Sequence, residues 1–372
     1  MALLSNSAER MGELHALQAK PWERQIAGTG FPLLDKAIGG GLFPRLYVLG
    51  GDTSTGKTTF ALNIANNIAK SGRMVIFFCM EMTAEEMMAR SLSRLTYEYD
   101  EDNAWTENQI LYYSRTEDRQ RAKAQESYAY AEADFTTKAG RHLFFVPGRR
   151  PARGILPEDP DPEQRARRIM AGEGGLYEIA EELNRETIVG HGKLPPVVVC
   201  DYLQIMLPED GTERMTEREQ INRNIAGLIA IKENLQSPVI VVSSYNRSSY
   251  YKESTDNSAF KGSGEIEYSS DALMFLKLVR ESQKEWKTNR DGTKEQYEVK
   301  DDPSSFRSEM GEETRRISLD LTKNRGAKYG ASVSLEYIPK YNIFQENIID
   351  YNYSGQNENK KMKEKARRKA PF

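Results

Sequence analysis

Cysteine is nearly missing from this chain: Cys79 and Cys200 are the only two among 372 residues. Both fall in short apolar runs, so they read as buried free thiols of a reducing compartment and not as a disulfide framework. Histidine is as scarce, and His15, His142 and His191 are too scattered to suggest a metal site. Long hydrophobic runs are absent as well. The longest apolar stretches are strand-length, and the first twenty residues alternate polar and apolar, which leads us to expect a soluble cytoplasmic protein without leader or membrane span. No charge sign dominates: 52 Lys+Arg against 55 Asp+Glu give a net charge of −3, so the chain as a whole makes no electrostatic case for nucleic acid. Two basic clusters are local exceptions. One is Arg149, Arg150 and Arg153; the other runs from Lys360 to Lys369 and reads as a solvated tail.

What is present is a phosphate-binding loop. Gly51, Asp52, Thr53, Ser54, Thr55, Gly56, Lys57 and Thr58 read G-D-T-S-T-G-K-T, followed by Thr59, between the apolar run Leu46 to Leu49 and a helical pattern that starts at Lys57. The context carries the signal. Glycines let backbone N–H groups wrap phosphate oxygens, and the helix that follows aims its positive end at them. Lys57 would reach the β- and γ-phosphates of ATP, and Thr58 would coordinate Mg²⁺.

Five runs have the composition of buried parallel strands: Leu46 to Leu49, Val75 to Cys79, Leu143 to Val146, Val197 to Cys200, and Val239 to Ser243. Helical patterns separate most of them. Two open with capping boxes, Thr83 to Glu86 and Thr216 to Glu219, and the second leads into a helix with Ile221, Ile225, Leu228, Ile229 and Leu235 on one face. The alternation predicts an α/β, doubly wound, mostly parallel sheet. Ala272 to Val279, Ile317 to Thr322 and Ser332 to Ile338 read as further strands that add an antiparallel edge. Residues 5–19 suggest an amphipathic helix, 147–174 a long loop, and 281–313 a polar surface excursion. The expected division is a linker-like helix over 1–24, a core over 25–346 and a basic tail over 347–372.

Hydrolysis needs more than a phosphate cradle. Asp201 follows Val197 to Cys200 and so emerges at the carboxyl end of a buried strand, where a metal's water shell needs an anion. Its plain alternative is a helix cap. Glu81 ends the neighbouring run and would polarise an attacking water, with a capping or surface role as its alternative. Residue type alone makes Lys323 and Arg325 strand-end surface cations. The loop from Asn246 to Gly264 mixes cations (Arg247, Lys252, Lys261) with rings (Tyr250, Tyr251), a composition suited to single-stranded nucleic acid and also to an ordinary solvated loop. Arg214, Arg218 and Arg223 are interleaved with Glu213, Glu217 and Glu219, which favours a charged helix face.

Taken in order, T-G-F-P-L-L-D, I-G-G-G-L, G-D-T-S-T-G-K-T-T-F-A-L, F-C-M-E-M-T-A-E-E-M, V-V-C-D-Y-L-Q-I-M, S-S-Y-N-R, S-G-E-I-E-Y-S-S-D-A-L-M-F-L and K-N-R-G resemble the ATPase domain of DnaB-type replicative helicases over roughly residues 25 to 346. The resemblance implies a RecA-like domain in a homo-oligomer, a hexameric ring around single-stranded DNA, that uses ATP and Mg²⁺, and a loader or other replication protein as partner. It gives Glu81 the role of catalytic base and Asp201 that of metal-site acid. Lys323 and Arg325 become the pair that enters the neighbouring subunit's site. Lys261, Gly262, Ser263 and Gly264, with Arg247 nearby, become the pore loop that tracks DNA.

Three departures from the family stand out. Ser244 occupies the place of a glutamine that senses the γ-phosphate, no counterpart of the family's N-terminal domain is expected from these residues, and 281–313 is long for its connection. An alternative function is therefore kept: a regulatory or assembly ATPase similar to RecA or KaiC that binds DNA or a protein without unwinding. A zinc finger of the RadA kind is ruled out by two cysteines, and a KaiC-like tandem by the single phosphate loop.

Overall fold

A nine-stranded sheet organises the protein, with strand order β11-β10-β9-β6-β1-β5-β4-β2-β3. The computed structural model describes residues 11–12, 15, 26–51, 54–112, 122–153, 164, 174–191, 194–208, 215–244, 264–279, 284–288, 294–298, 314–327 and 330–347. Six strands form the parallel block: β1 (Leu46–Gly51), β2 (Val75–Cys79), β3 (Leu143–Pro147), β4 (Val197–Asp201), β5 (Val239–Val242) and β6 (Ala272–Leu278). On the far side of β6, three antiparallel strands complete the sheet: β9 (Arg315–Asn324), β10 (Ser332–Ile338) and β11 (Ile343–Glu346). The fold class read from the sequence is the one observed.

The strands form where the chain can bury both faces of the backbone. β1, β2, β4 and β5 are buried at every position, as Val/Ile-rich runs between two helical layers must be. Alternate residues feed two separate cores. Tyr47 and Leu49 pack in the core with α1 (Pro32–Ile38) and α2 (Lys57–Lys70), whereas Leu46 and Val48 pack in the core with α6 (Leu176–His191) and α7 (Glu217–Asn234). β9 and β10 alternate buried and partly exposed positions, as expected for the antiparallel edge.

Both capping boxes form. Thr83 starts α3 (Ala84–Tyr99), with its hydroxyl accepting from the Glu86 N–H and the Glu86 carboxylate accepting from the Thr83 N–H; Thr216 and Glu219 do the same for α7. On α7, Ile221, Ile225 and Leu228 are buried as expected, joined by Ile231. α4 (Glu107–Tyr112) and α5 (Ala122–Thr137) pack with α3 outside the sheet, and the short α8 (Gly264–Ser269) leads into β6. β7 (Lys284–Thr288) and β8 (Lys294–Glu298) pair with each other as a separate two-stranded sheet within the expected polar excursion. The expectations for most of 5–19 and of 147–174, and for nearly all of the tail, lie outside the described residues.

Candidate nucleotide site

β1 delivers Gly51 to the carboxyl edge of the sheet and α2 starts at Lys57, so the phosphate loop occupies the strand-to-helix turn expected of it. Asp52 and Thr53 are outside the described residues. The glycines are required by crowding. A Cβ on Gly51 would stand 2.6 Å from the Leu276 carbonyl oxygen. Gly56 has φ +83°, and a Cβ there would meet Tyr337 at 2.8 Å and Phe344 at 2.9 Å. Those two rings stack at 4.2 Å between centroids and form a floor under the turn. Lys57 Nζ donates to the Gly51 carbonyl oxygen at 2.9 Å, which folds the lysine back over the loop. Thr55 and Thr59 are buried beneath it.

Strand register supplies the acid. Asp201 ends β4 beside Cys79 of β2, and the Met80 N–H donates to the Asp201 carbonyl oxygen at 3.0 Å, so Glu81 stands next to Asp201 at the same edge. Asp201 is 3% exposed, whereas Glu81 is exposed. Burial pushes the Asp201 carboxyl up to about 6; the Thr58 hydroxyl opposes this by hydrogen bonding to the carboxylate, the Glu81 charge adds to the rise, and Lys57 and Arg90 draw it back down. The other carboxylate oxygen, Oδ1, is buried without a hydrogen-bond partner. A buried, half-satisfied carboxylate bonded to the hydroxyl that follows the phosphate-loop lysine is a donor set that fits a hard divalent cation such as Mg²⁺. Among the described residues no cluster of three or more His, Cys, Asp or Glu forms a separate metal cage.

Lys323 and Arg325 are not brought to this site. Gly51 pairs with Leu276 and Leu276 with Leu319, so Leu319 marks the level of the phosphate loop on β9. Arg325 lies six residues further along, about 20 Å at strand rise. That exceeds the reach of an arginine side chain. Both cations sit at the opposite edge of the sheet, where Lys323 Nζ donates to the carbonyl oxygens of Glu267 and Tyr268, and Arg325 Nη2 donates to that of Tyr268 at 3.0 Å. Burial lowers the Lys323 pKa, and the Arg325 charge lowers it further.

Two arginines near the phosphate loop escaped the sequence reading. Arg315, at the other end of β9, donates from Nη1 to the Ser54 carbonyl oxygen at 3.0 Å, with its guanidinium carbon 5.9 Å from the Tyr337 ring centroid. Arg90 acts electrostatically on Asp201 and pairs with Glu107 at 3.0 Å. Neither belongs to a spacing that sequence alone singles out, although R-R-I at the start of an alternating strand marks Arg315 as a strand-end cation. Ser244 has a partner too. Gln204 Oε1 accepts from its N–H at 3.1 Å, while Gln204 Nε2 donates to the Ser243 hydroxyl at 2.8 Å. Of the expected DNA contacts, Gly264 opens α8, and Arg247, Lys261, Gly262 and Ser263 lie outside the described residues. Among the described residues no helix is long and apolar enough to cross a membrane.

Comparison with known proteins agrees with this architecture. The family described as DnaB-like helicase C terminal domain matches residues 27–120 and 177–346. Replicative DNA helicase DnaB of Pasteurella multocida (strain Pm70) is 28% identical over 252 residues, which make up 67% of this chain and 45% of that protein. The same-named protein of Geobacillus stearothermophilus is 26% identical over 319 residues, 85% of this chain and 55% of that protein. This chain thus spans about half the length of these relatives. Two solved structures share the fold: "ATPase Domain of G40P", with TM-score 0.65 and 17% identity, covering 92% of this chain and 99% of that one, and "The Structure Of A DnaB-Like Replicative Helicase And Its Interactions With Primase", with TM-score 0.64 and 16% identity, covering 91% and 68%. A phosphate loop, a buried strand-end acid and this strand order, matched over more than half of its residues, make the chain a member of the DnaB-like helicase C-terminal domain family.

Proposed function

We propose that the protein is an ATP-driven motor on single-stranded DNA whose nucleotide sites are shared between adjacent copies in a ring. One observation carries the shared site: along β9, Lys323 lies about 13 Å and Arg325 about 20 Å from the level of their own phosphate loop. Cations that cannot serve their own nucleotide are free to serve a neighbour's.

In this reading the N–H groups after Gly51 and the start of α2 bind the triphosphate of ATP, and Lys57 leaves the Gly51 carbonyl to contact the outer phosphates. Thr58 and Asp201 would hold Mg²⁺, which would supply charge neutralisation at the phosphates. Glu81, exposed at the same edge, orients and deprotonates the attacking water. Arg325 of the adjacent copy, with Lys323 beside it, stabilises the charge that builds on the transferring phosphoryl group, an effect worth about 10³ to 10⁵ in rate. The core over 25–346 carries this chemistry. Arg247 and the stretch from Lys261 to Gly264 contact the DNA backbone, and a loader or other replication protein places the ring on its strand.

Subunit mixing tests the shared site. Lys57→Ala and Arg325→Ala proteins, each inactive alone, should partly recover ATP hydrolysis when combined, because one lends the cation and the other the cradle. No recovery, or a monomer that hydrolyses ATP at full rate, refutes the model. Strand displacement tests the motor. DNA-independent hydrolysis without unwinding would instead favour the regulatory ATPase that Ser244, in place of the family's glutamine, motivates.

A further inference from the structure

Asp271 stands at a crossing of three elements. It lies between α8 and β6, immediately before Ala272, and is largely buried. Its backbone joins β6 to the start of β1: the Asp271 N–H donates to the Leu46 carbonyl oxygen at 2.9 Å, and Oδ2 accepts from the Leu46 N–H, also at 2.9 Å. Oδ2 is also 3.3 Å from Lys232 Nζ on α7. The remaining groups of Asp271 address a single residue. Its carbonyl oxygen accepts from the Arg325 N–H at 2.8 Å, and Oδ1 lies 3.6 Å from Arg325 Nη1.

Together with the Tyr268 carbonyl on Nη2, Arg325 is hydrogen-bonded at its backbone and at one terminal nitrogen, and its other terminal nitrogen is ion-paired with Asp271. Even so, the Arg325 side chain is 59% exposed. An arginine with long, rotamer-rich freedom is thus biased toward one pose while still facing outward. Such pre-organisation gives a cation its effect on a reaction at a neighbouring surface. A buried acid that served only to join two strands would need one acceptor, for Leu46. Asp271 has a second, and it is turned to Arg325.

We propose that Asp271 is the positioning residue for the cation that Arg325 lends to the adjacent subunit's nucleotide, with Lys232 balancing its charge from behind. This rests on the shared-site reading above. Asp271 acts through Arg325 and touches no nucleotide, so its loss impairs the lending subunit and leaves that subunit's own cradle intact.

The test is Asp271→Asn in the full chain. The amide oxygen retains the bond to the Leu46 N–H, and the NH₂ group then faces the guanidinium, donor against donor. DNA-stimulated ATP hydrolysis should show kcat lowered about ten- to a hundredfold, in line with a displaced catalytic group, with KM for ATP little changed. Mixing assigns the defect. D271N should recover activity with Lys57→Ala, which lends an intact Arg325, and should not recover with Arg325→Ala, which is defective in the same half of the site. The reverse pattern, or wild-type kcat in folded D271N, overturns the proposal. If K57A and R325A fail to complement each other, the shared site itself is wrong and the proposal falls with it. Should D271N not fold by circular dichroism, Asp271→Glu carries the same mixing test: its longer carboxylate displaces the anchor, so a milder loss in the same complementation class is expected, and wild-type kcat refutes the role.

Discussion

Replacing Gly56 with alanine makes two separate demands on the turn between β1 and α2. The first is conformational. At φ +83° an L-residue pays about 1–2 kcal/mol for its Cβ. The second is steric. The new methyl group would stand 2.8 Å from Tyr337 and 2.9 Å from Phe344, rings that are 6% and 2% exposed and stacked on each other, so neither can swing into solvent. Forcing a methyl group into such a contact costs about 1–3 kcal/mol. The expected loss is therefore about 2–5 kcal/mol, a large part of the ~5–15 kcal/mol that holds a typical protein folded. Urea unfolding of G56A, followed by circular dichroism, should show the midpoint moved down with an unchanged slope. Nucleotide affinity should fall too, because the floor and the N–H cradle move together. A variant within about 0.5 kcal/mol of wild type, the usual range for a harmless surface change, would refute the account of this turn.

Other expectations follow from the site and its supports. Asp201 has a native pKa of about 6, above its ordinary 3.8, so between those values the native state holds a proton the unfolded chain has released, and the metal-free protein should lose stability as pH rises through that window. Mg²⁺ competes for the same oxygens, so below about pH 6 apparent Mg²⁺ affinity in a nucleotide-binding titration should fall about tenfold per pH unit. An equal affinity at pH 5 and 7.5 would count against Asp201 as a ligand. Thr83→Ala removes the hydroxyl that accepts from the Glu86 N–H at 3.2 Å and should cost about 1 kcal/mol in urea unfolding; no change would mean the cap contributes nothing. Burial pushes the Cys79 thiol up to about 11 and that of Cys200 higher still, so neither should react with iodoacetamide at pH 8 until denaturant is added, and rapid native labelling would contradict their burial.

Legibility in the sequence tracked how completely a segment's residues determine their own environment. β2 and β4 are Val/Ile/Phe/Cys-rich runs buried at every position, and few other structures suit them. Lys57, Thr58 and Asp201 were legible because their neighbours fix where they emerge. β11 was missed: four residues of I-F-Q-E carry no periodicity, and what seats them is tertiary, Phe344 stacking on Tyr337 beneath Gly56 and the Glu346 carboxylate accepting from the Leu33 and Leu34 N–H groups. α5 was missed because its alanines and tyrosines define no sharp apolar face, although Tyr130 stacks on Tyr99 of α3 at 4.2 Å. The β7–β8 hairpin has too few apolar residues to announce itself, yet Asp291-Gly292 between the two segments is a turn signal that would have found it. Arg315 and Asp271 were invisible for a different reason. Their significance lies in what faces them across the sheet, and cross-strand register is a property of the assembled fold.

β9 carries a positive charge at each end, Arg315 against its own phosphate loop and Arg325 just past the far end, with one break in its pairing to β6 at Thr322. If the ring closes as proposed, each such strand links two sites, touching the phosphate loop at home through Arg315 and the nucleotide next door through Arg325. A tilt of five degrees about its middle would move the tips in opposite directions by about 1–2 Å each, given a length near 30 Å. The event that tightens a subunit on its own triphosphate would thereby shift what it offers to its neighbour, and turnover would pass around the circle along one strand.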